Sequence, residues 1–151
     1  MSKRPLIVFG LLALVCLIVL PLVALGKEGD EEAGTVKVEA QDRRAQQIVA
    51  TNCGTCHTLA AAGTDGVVGP NLDSLLVTVG QNSSDQYPGI YGRVMQAVTC
   101  GLNGRMPKGI LEGAEAQEAA AFIAAYAGQI GAGPTVDLET AEKPPPPSCG
   151  K

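Results

Sequence analysis

A string of five residues constrains this chain more than any other part of its sequence. Cys53 and Cys56 are separated by two residues, and His57 follows the second cysteine directly. Apolar residues at the 3.6-residue period of a helix lead into the string, and Asp42 is a candidate N-cap for that helix. A helix that ends here brings both thiols and the imidazole to one place, so these side chains are the first candidates for a functional site.

The C-x-x-C-H spacing is typical of covalent attachment of a c-type haem. Two thiols three residues apart at the end of a helix can reach the two vinyl groups on one edge of the haem. The histidine that follows then projects onto the iron. The sequence therefore predicts one haem c, attached through Cys53 and Cys56 and ligated by His57.

Three other interpretations of the same string stay open. A thioredoxin-like dithiol also uses C-x-x-C, but it requires a strand-to-helix junction in an α/β pattern, which this sequence does not show. A structural zinc site needs further Cys or His ligands at short spacing, and His57 is the only histidine in the chain. Chance occurrence of the spacing is the third.

The N-terminal residues 6–25 form a nearly uninterrupted apolar run without a charge. About 20 such residues match the length that a helix needs to cross a bilayer. Because Lys3 and Arg4 precede the run, the positive-inside tendency places the rest of the chain on the extracytoplasmic side of the cell membrane. We expect a single-pass anchor or a signal segment within residues 1–26, since small residues near Ala24 also resemble a signal-peptidase cleavage site.

The remaining chain divides into three parts. Residues 27–41 are rich in Gly, Glu, Asp and Lys without apolar periodicity, which predicts an acidic flexible tether. Residues 42–130 carry the helical patterns and form the predicted domain. Residues 131–151 contain four consecutive prolines, which predicts an extended polyproline II tail that adds nothing to the core.

Helical patterns account for the regular structure of the predicted domain. The first runs from Asp42 to Cys53, the second covers about 89–100, and the third covers about 112–127, with acidic residues in its first turns and Gly128 as its stop. No alternating pattern is long enough to build a sheet. The predicted fold class is therefore all-α.

Composition narrows the choice of function. Aromatic residues make up only 3% of the chain and Trp is absent, so a bound apolar cofactor would supply bulk that a protein-only core lacks. The formal net charge of −4 argues against nucleic-acid binding, which favours a basic face.

Several short strings, taken together, resemble the class I c-type cytochromes in their small monohaem bacterial form. They are CGTCH at 53–57, GPNL at 69–72, GLNGRMP at 101–107 and FIAAY at 122–126. Each later string is weak alone, but their order and spacing match over residues 42–128. The resemblance implies a cytochrome c fold of three to four helices wrapped around one covalently bound haem, preceded here by an N-terminal transmembrane helix.

The same resemblance implies the other iron ligand and its support. A Met-Pro loop before the last helix supplies the sixth ligand in this family, and Met106 fits that position, whereas the rival Met95 lies inside the second predicted helix. Pro70 resembles the residue whose carbonyl accepts a hydrogen bond from the other nitrogen of the ligating histidine. The implied cofactor-binding residues are Cys53, Cys56, His57, Pro70 and Met106, with His57 and Met106 as the metal ligands.

With both axial positions filled, the iron has no open site for a small-molecule substrate. The implied function is one-electron transfer between a quinol-oxidising complex (quinol:cytochrome c reductase) and a terminal cytochrome c oxidase, or a haem subunit within such a complex, and not enzymatic catalysis. The alternative is a five-coordinate haem enzyme or gas sensor, in which Met106 is absent from the iron and Arg105 is the nearby polar candidate.

Two further cysteines lie in the predicted extracytoplasmic part. Cys100 directly precedes the Met106 string, and Cys149 lies in the Pro-rich tail, so a disulfide between them would hold the tail across the domain. The open alternative is a buried Cys100 with Cys149 as a free or intermolecular thiol. Cys16, within the apolar run, is expected to be inert.

Overall fold

The structure is a computed structural model that describes residues 4–25, 36–78, 80–102 and 104–149. The chain divides into two compact units, Met1–Glu32 and Ala33–Lys151. All of the predicted site residues belong to the second unit.

The first unit contains one helix, α1, over Arg4–Leu25. Within α1 the side chains are described at position 8 and positions 10–19. Among the helices in the described part of the chain, none is long and apolar enough to cross a membrane. The predicted anchor over residues 6–25 falls within α1, and its crossing of a membrane stays a prediction.

The second unit is helical, as the patterns predict. Its α-helices are α2 (Arg43–Cys53), α3 (Leu72–Leu75), α4 (Tyr87–Cys100) and α5 (Gly113–Tyr126). Short 3₁₀ turns lie at Ala40–Asp42, Ala60–Ala62 and Ser84–Gln86. Two very short antiparallel strands, β1 (Thr58–Leu59) and β2 (Thr64–Asp65), pair Thr58 with Asp65 and Leu59 with Thr64. The sequence does not predict this small sheet, because two residues are too few to show alternation.

The centre of this unit is α5, which packs against both α2 and α4. Its second half is buried on all sides, and most of the residues there are alanines. Small side chains allow the neighbouring helices to approach closely. Ala45 and Val49 of α2 and Ile123 and Tyr126 of α5 are all buried, so their predicted place in the core is confirmed.

Asp42 occupies the N-cap position of α2 but does not cap the helix with its side chain. The carboxylate is buried and accepts a hydrogen bond from the Tyr126 hydroxyl at 2.6 Å, and that hydroxyl accepts one from the backbone N–H of Glu39 at 3.1 Å. Burial and the bond to Asp42 raise the pKa of Tyr126. The predicted N-cap position is confirmed, but the carboxylate joins α2 to α5 instead of closing the first turn.

The end of the predicted tether belongs to the second unit. Residues 27–35 lie outside the described residues, but Val36 and Val38 are partly buried against the core. The backbone N–H of Lys37 donates to the carbonyl of Ala132 at 3.1 Å. The ordered domain thus begins before residue 42.

The tail also contributes to the core, contrary to expectation. The backbone N–H of Thr135 donates to the Ala125 carbonyl at 3.0 Å, and Leu138 is buried. Cys149 forms a disulfide with Cys100 at the end of α4. An isolated leucine in a Pro-rich segment gives no periodic signal, so sequence patterning missed this contact.

Candidate functional site

The helix α2 ends at Cys53, the first cysteine of the string. The backbone N–H groups of Cys56 and His57 both donate to the carbonyl of Cys53, at 3.1 and 2.9 Å. The chain therefore makes one tight turn directly after the helix, and this turn keeps the two thiols and the imidazole together. Cys53 is buried, Cys56 is exposed, and both are free thiols.

The surroundings of Cys53 differ from those of a redox-active dithiol. Reactive cysteines have a lowered pKa, commonly at a helix N-terminus. Cys53 lies at the opposite end of α2, where the helix dipole disfavours a thiolate. Burial, and to a smaller extent Cys56, raises the pKa of the Cys53 thiol. These observations weigh against the thioredoxin-like interpretation.

The imidazole of His57 is held by the backbone of a later segment. Its Nδ1 lies 2.8 Å from the carbonyl oxygen of Pro70. Since a carbonyl can only accept, Nδ1 carries the proton, and the lone pair of the neutral ring is on Nε2. A histidine fixed in this way presents Nε2 as a metal ligand in one orientation.

Two glycines fit closely around this turn. A Cβ atom on Gly69 would lie 2.7 Å from Nδ1 and 3.0 Å from Nε2 of His57, and one on Gly66 would lie 2.7 Å from the backbone nitrogen of His57. Real Cβ atoms do not approach other atoms so closely, so both positions require glycine. Gly69 begins the GPNL string, but that string does not indicate its contact with the imidazole, and Gly66 lies in no predicted motif.

Hydrogen bonds complete what we call the His57 loop, residues 54–70. The backbone N–H of Gly69 donates to the carbonyl of Cys56 at 2.7 Å. The Thr64 hydroxyl donates to the carbonyl of His57 at 2.9 Å and accepts from the backbone N–H of Leu59 at 3.0 Å. The loop therefore folds back on the CGTCH turn and holds it from both sides.

Met106 lies in a second loop, residues 101–108, named here the Met106 loop. The backbone N–H of Leu102 donates to the carbonyl of Met106 at 3.0 Å, which makes an isolated antiparallel bridge. Gly101 has φ +74°, and a Cβ there would lie 2.8 Å from the Met106 carbonyl oxygen, so the loop starts at an obligatory glycine. The disulfide Cys100–Cys149 is attached directly before it.

The two methionine candidates differ in burial. Met95 is 1% exposed within α4, whereas Met106 is partly buried against the core and lines a cavity of about 330 Å³ with its loop neighbours. Among the described contacts none joins Met106 to His57. The structure thus brings Cys53, Cys56, His57 and Pro70 into one site and places Met106 in a separate loop.

Two tyrosines of α4 carry buried hydroxyls without a hydrogen-bond partner among the described residues. Tyr87 and Tyr91 lie one turn apart, with ring centroids separated by 6.0 Å. Burial, followed by the charge of Tyr91, raises the pKa of Tyr87 to about 12, and burial raises that of Tyr91 as well. A buried hydroxyl without a partner is costly. Such groups are expected where a polar part of a bound molecule completes the bonding.

In the part of the chain that the structure describes, no group of three or more His, Cys, Asp or Glu side chains is arranged to hold a metal ion. The groups near His57 are the free thiols of Cys53 and Cys56 and the carbonyl of Pro70.

No protein-family model matches this chain, and no curated protein matches it. Among solved structures, the chain is similar to the c-type cytochrome SorU from Sinorhizobium meliloti, with 31% sequence identity and a TM-score of 0.45. The match covers 63% of this chain and 99% of that one.

Proposed function

We propose that this chain is a one-electron carrier with one covalently attached haem c. The observation that carries the proposal is the turn from Cys53 to His57. It presents two free thiols next to an imidazole whose Nδ1–H is bonded to Pro70 at 2.8 Å, so that Nε2 is directed as a ligand. The similarity to a c-type cytochrome supports the same function.

The donor set of this chain fits haem c. Cys53 and Cys56 would form the two thioether bonds, and His57 would ligate the iron through Nε2. The unpartnered hydroxyls of Tyr87 and Tyr91 fit a cofactor that carries polar groups on an apolar ring. Bound haem supplies an iron that changes by one electron between its ferrous and ferric forms.

We assign the sixth ligand to Met106. Its partly buried side chain borders a cavity in a loop, whereas Met95 is enclosed within the packing of α4. Two protein ligands leave no position for a substrate, which favours electron transfer over catalysis. Methionine ligation and a buried position both favour a relatively high reduction potential.

We further propose that the haem domain lies on the extracytoplasmic side of the cell membrane, with residues 1–26 as its anchor. The apolar run over residues 6–25 supports the anchor, and the disulfide Cys100–Cys149 supports an oxidising compartment. The partners proposed on this basis are a quinol-oxidising complex and a terminal oxidase, or the other subunits of one such complex.

Mass spectrometry and visible spectroscopy of the protein purified from its membrane test this proposal. We expect the mass of one covalent haem, lost in the Cys53→Ala/Cys56→Ala variant. In the ferric protein we expect the weak long-wavelength band of methionine sulfur on iron. Met106→Leu should abolish this band and the control Met95→Leu should retain it.

Other outcomes separate the alternatives. A chain without covalent haem contradicts the proposal. A high-spin five-coordinate ferric spectrum contradicts the carrier and favours the haem enzyme or gas sensor. Loss of the band in Met95→Leu, with retention in Met106→Leu, contradicts the assignment of the sixth ligand.

A further inference from the structure

A buried carboxylate borders the site and is not used by the proposed haem attachment. Asp73, in α3, is 4% exposed. Its Oδ2 accepts a hydrogen bond from the backbone N–H of Ala60 at 2.8 Å, and its Oδ1 accepts one from the backbone N–H of Gly128 at 2.8 Å. A buried carboxylate is costly unless it is hydrogen-bonded, and here both oxygens are bonded.

These two bonds reach segments that are far apart in the sequence. Ala60 lies three residues after His57, in the 3₁₀ turn that follows β1. Gly128 lies just beyond the end of α5, the helix at the centre of the second unit. Asp73 therefore ties the chain that leaves His57 to the most buried helix of the fold.

The backbone between Asp73 and Pro70 is fixed as well. The side chain of Asn71 accepts a hydrogen bond from the backbone N–H of Asp73 at 2.8 Å and so caps α3. Pro70 directly precedes this cap, and its carbonyl accepts the Nδ1–H of His57 at 2.8 Å. The place of that carbonyl thus depends on where Asp73 holds the start of α3.

We infer that Asp73 is a positioning residue for His57. By binding Ala60 and Gly128 with its two oxygens, it holds the Pro70 carbonyl against the imidazole and fixes the orientation of the ring. The effect of Asp73 on iron ligation rests on the proposed function, whereas its effect on the orientation of the His57 imidazole does not.

Because both groups that bond to the Asp73 carboxylate are N–H donors, Asp73→Asn tests its role directly. Asn in place of Asp73 keeps the size of the side chain but leaves one acceptor, and its NH₂ group would face a second N–H donor. Asp42→Asn is the matched control, because Asp42 is also 4% exposed, accepts a bond from a residue of α5 and has no hydrogen bond to the His57 loop among the described residues.

The test compares the two variants with the unchanged full-length protein. NMR measures hydrogen exchange at the His57 Nδ1–H, and spectroelectrochemistry measures the reduction potential. We expect exchange to be faster by about tenfold in Asp73→Asn, the change expected for the loss of about one hydrogen bond, together with a shifted potential. Asp42→Asn should leave both values unchanged.

Two results overturn the inference: unchanged exchange in Asp73→Asn despite a lower melting temperature, or an equal change in Asp42→Asn. If Asp73→Asn does not fold, Asp73→Glu, which displaces the carboxylate by one methylene, replaces it, and wild-type exchange in that variant is then the contradicting result.

The haem content of the unchanged protein tests the proposed function separately from the role of Asp73. If the unchanged protein carries no haem, the proposed function fails, and the positioning role is tested on the haem-free chain. NMR then measures the tautomers of His57, and Asp73→Asn should increase the Nε2–H form. Equal tautomer populations in the unchanged chain and the variant would overturn the inference in that case.

Discussion

The His57 loop and the Met106 loop carry the two proposed iron ligands, and they are held by different kinds of interaction. In the His57 loop, residues close in sequence bond to one another, as Gly69 does to Cys56 at 2.7 Å and Thr64 to His57 at 2.9 Å. The Met106 loop has its own bridge, but the bond that ties its start to another segment is a disulfide to a residue 49 positions away.

The two loops therefore differ in whether residues nearby or residues distant in the sequence hold them in place. The histidine side is assembled mainly by the chain that surrounds the CGTCH turn, with one long-range connection from Asp73 to Gly128, so substitutions near the turn should act on His57 directly. The methionine side is connected to the tail, which is itself held by Thr135 and Leu138. Changes far from Met106 should therefore reach that side and leave the histidine side unaltered.

Removal of the disulfide is expected to have the largest effect, and it tests most directly whether the two loops are supported separately. In Cys100→Ser/Cys149→Ser we expect the free energy of unfolding to fall by about 2–5 kcal/mol, because the unfolded chain is no longer constrained. Hydrogen exchange followed by mass spectrometry should become faster in the Met106 loop and remain slow in the His57 loop. Cys16→Ser, which removes a free thiol, is the control. Equal loss of protection in both loops would show that their supports are not separate.

A methyl group at Gly69 tests the histidine side. In Gly69→Ala the new Cβ would lie 2.7 Å from Nδ1 of His57, so the ring or the backbone must move. We expect a loss of about 1–3 kcal/mol in thermal unfolding, typical of overpacking, and a lower yield of covalent haem. Gly89→Ala in α4, where a Cβ meets nothing within 4 Å, should be neutral or stabilising. A normal haem yield and melting temperature in Gly69→Ala would contradict the close fit.

The smallest expected effect concerns the pH dependence of α4, which leads into the Met106 loop. Burial raises the pKa of Tyr87 to about 12 in the folded chain, above the ordinary value of 10.0. The unfolded chain therefore loses this proton first, and the stability that the neutral hydroxyl provides is complete below about pH 10 and falls as the pH rises to about 12. Urea unfolding at several alkaline pH values measures the slope. It should be shallower in Tyr87→Phe, and an equal slope would exclude Tyr87 as its source.

Sequence patterns predicted α2, α4 and α5 but not the four-residue α3. The turn from Cys53 to His57 is a local arrangement, so its spacing alone indicates that the thiols and the imidazole lie together. The bond between His57 and Pro70 was implied only by a family resemblance, since thirteen positions separate the two residues. Asp73 gave no signal, because a buried aspartate looks like an ordinary loop residue in sequence, and the GPNL string contained Gly69 without indicating its contact with the imidazole.

Two differences from the sequence-based expectations have the same physical origin. Asp42 has the predicted N-cap position, but its carboxylate accepts the hydroxyl of Tyr126, 84 positions later, and does not bond to the first turn. The tail has the composition of a solvated segment, but Leu138 is buried in the core. In both cases a partner distant in the sequence replaced the local interaction that patterning assumes.

The spacing of the thiols and histidine, the helical class and the apolar faces of α2 and α5 can all be derived from sequence, because each depends on residues within a few turns of one another. The surroundings of the CGTCH turn depend on the fold: the Asp73 carboxylate lies between Ala60 and Gly128, the Gly69 backbone lies against the imidazole, and the disulfide lies at the start of the Met106 loop. These contacts join segments that meet only after the chain has folded, so no periodic pattern in the sequence predicts them.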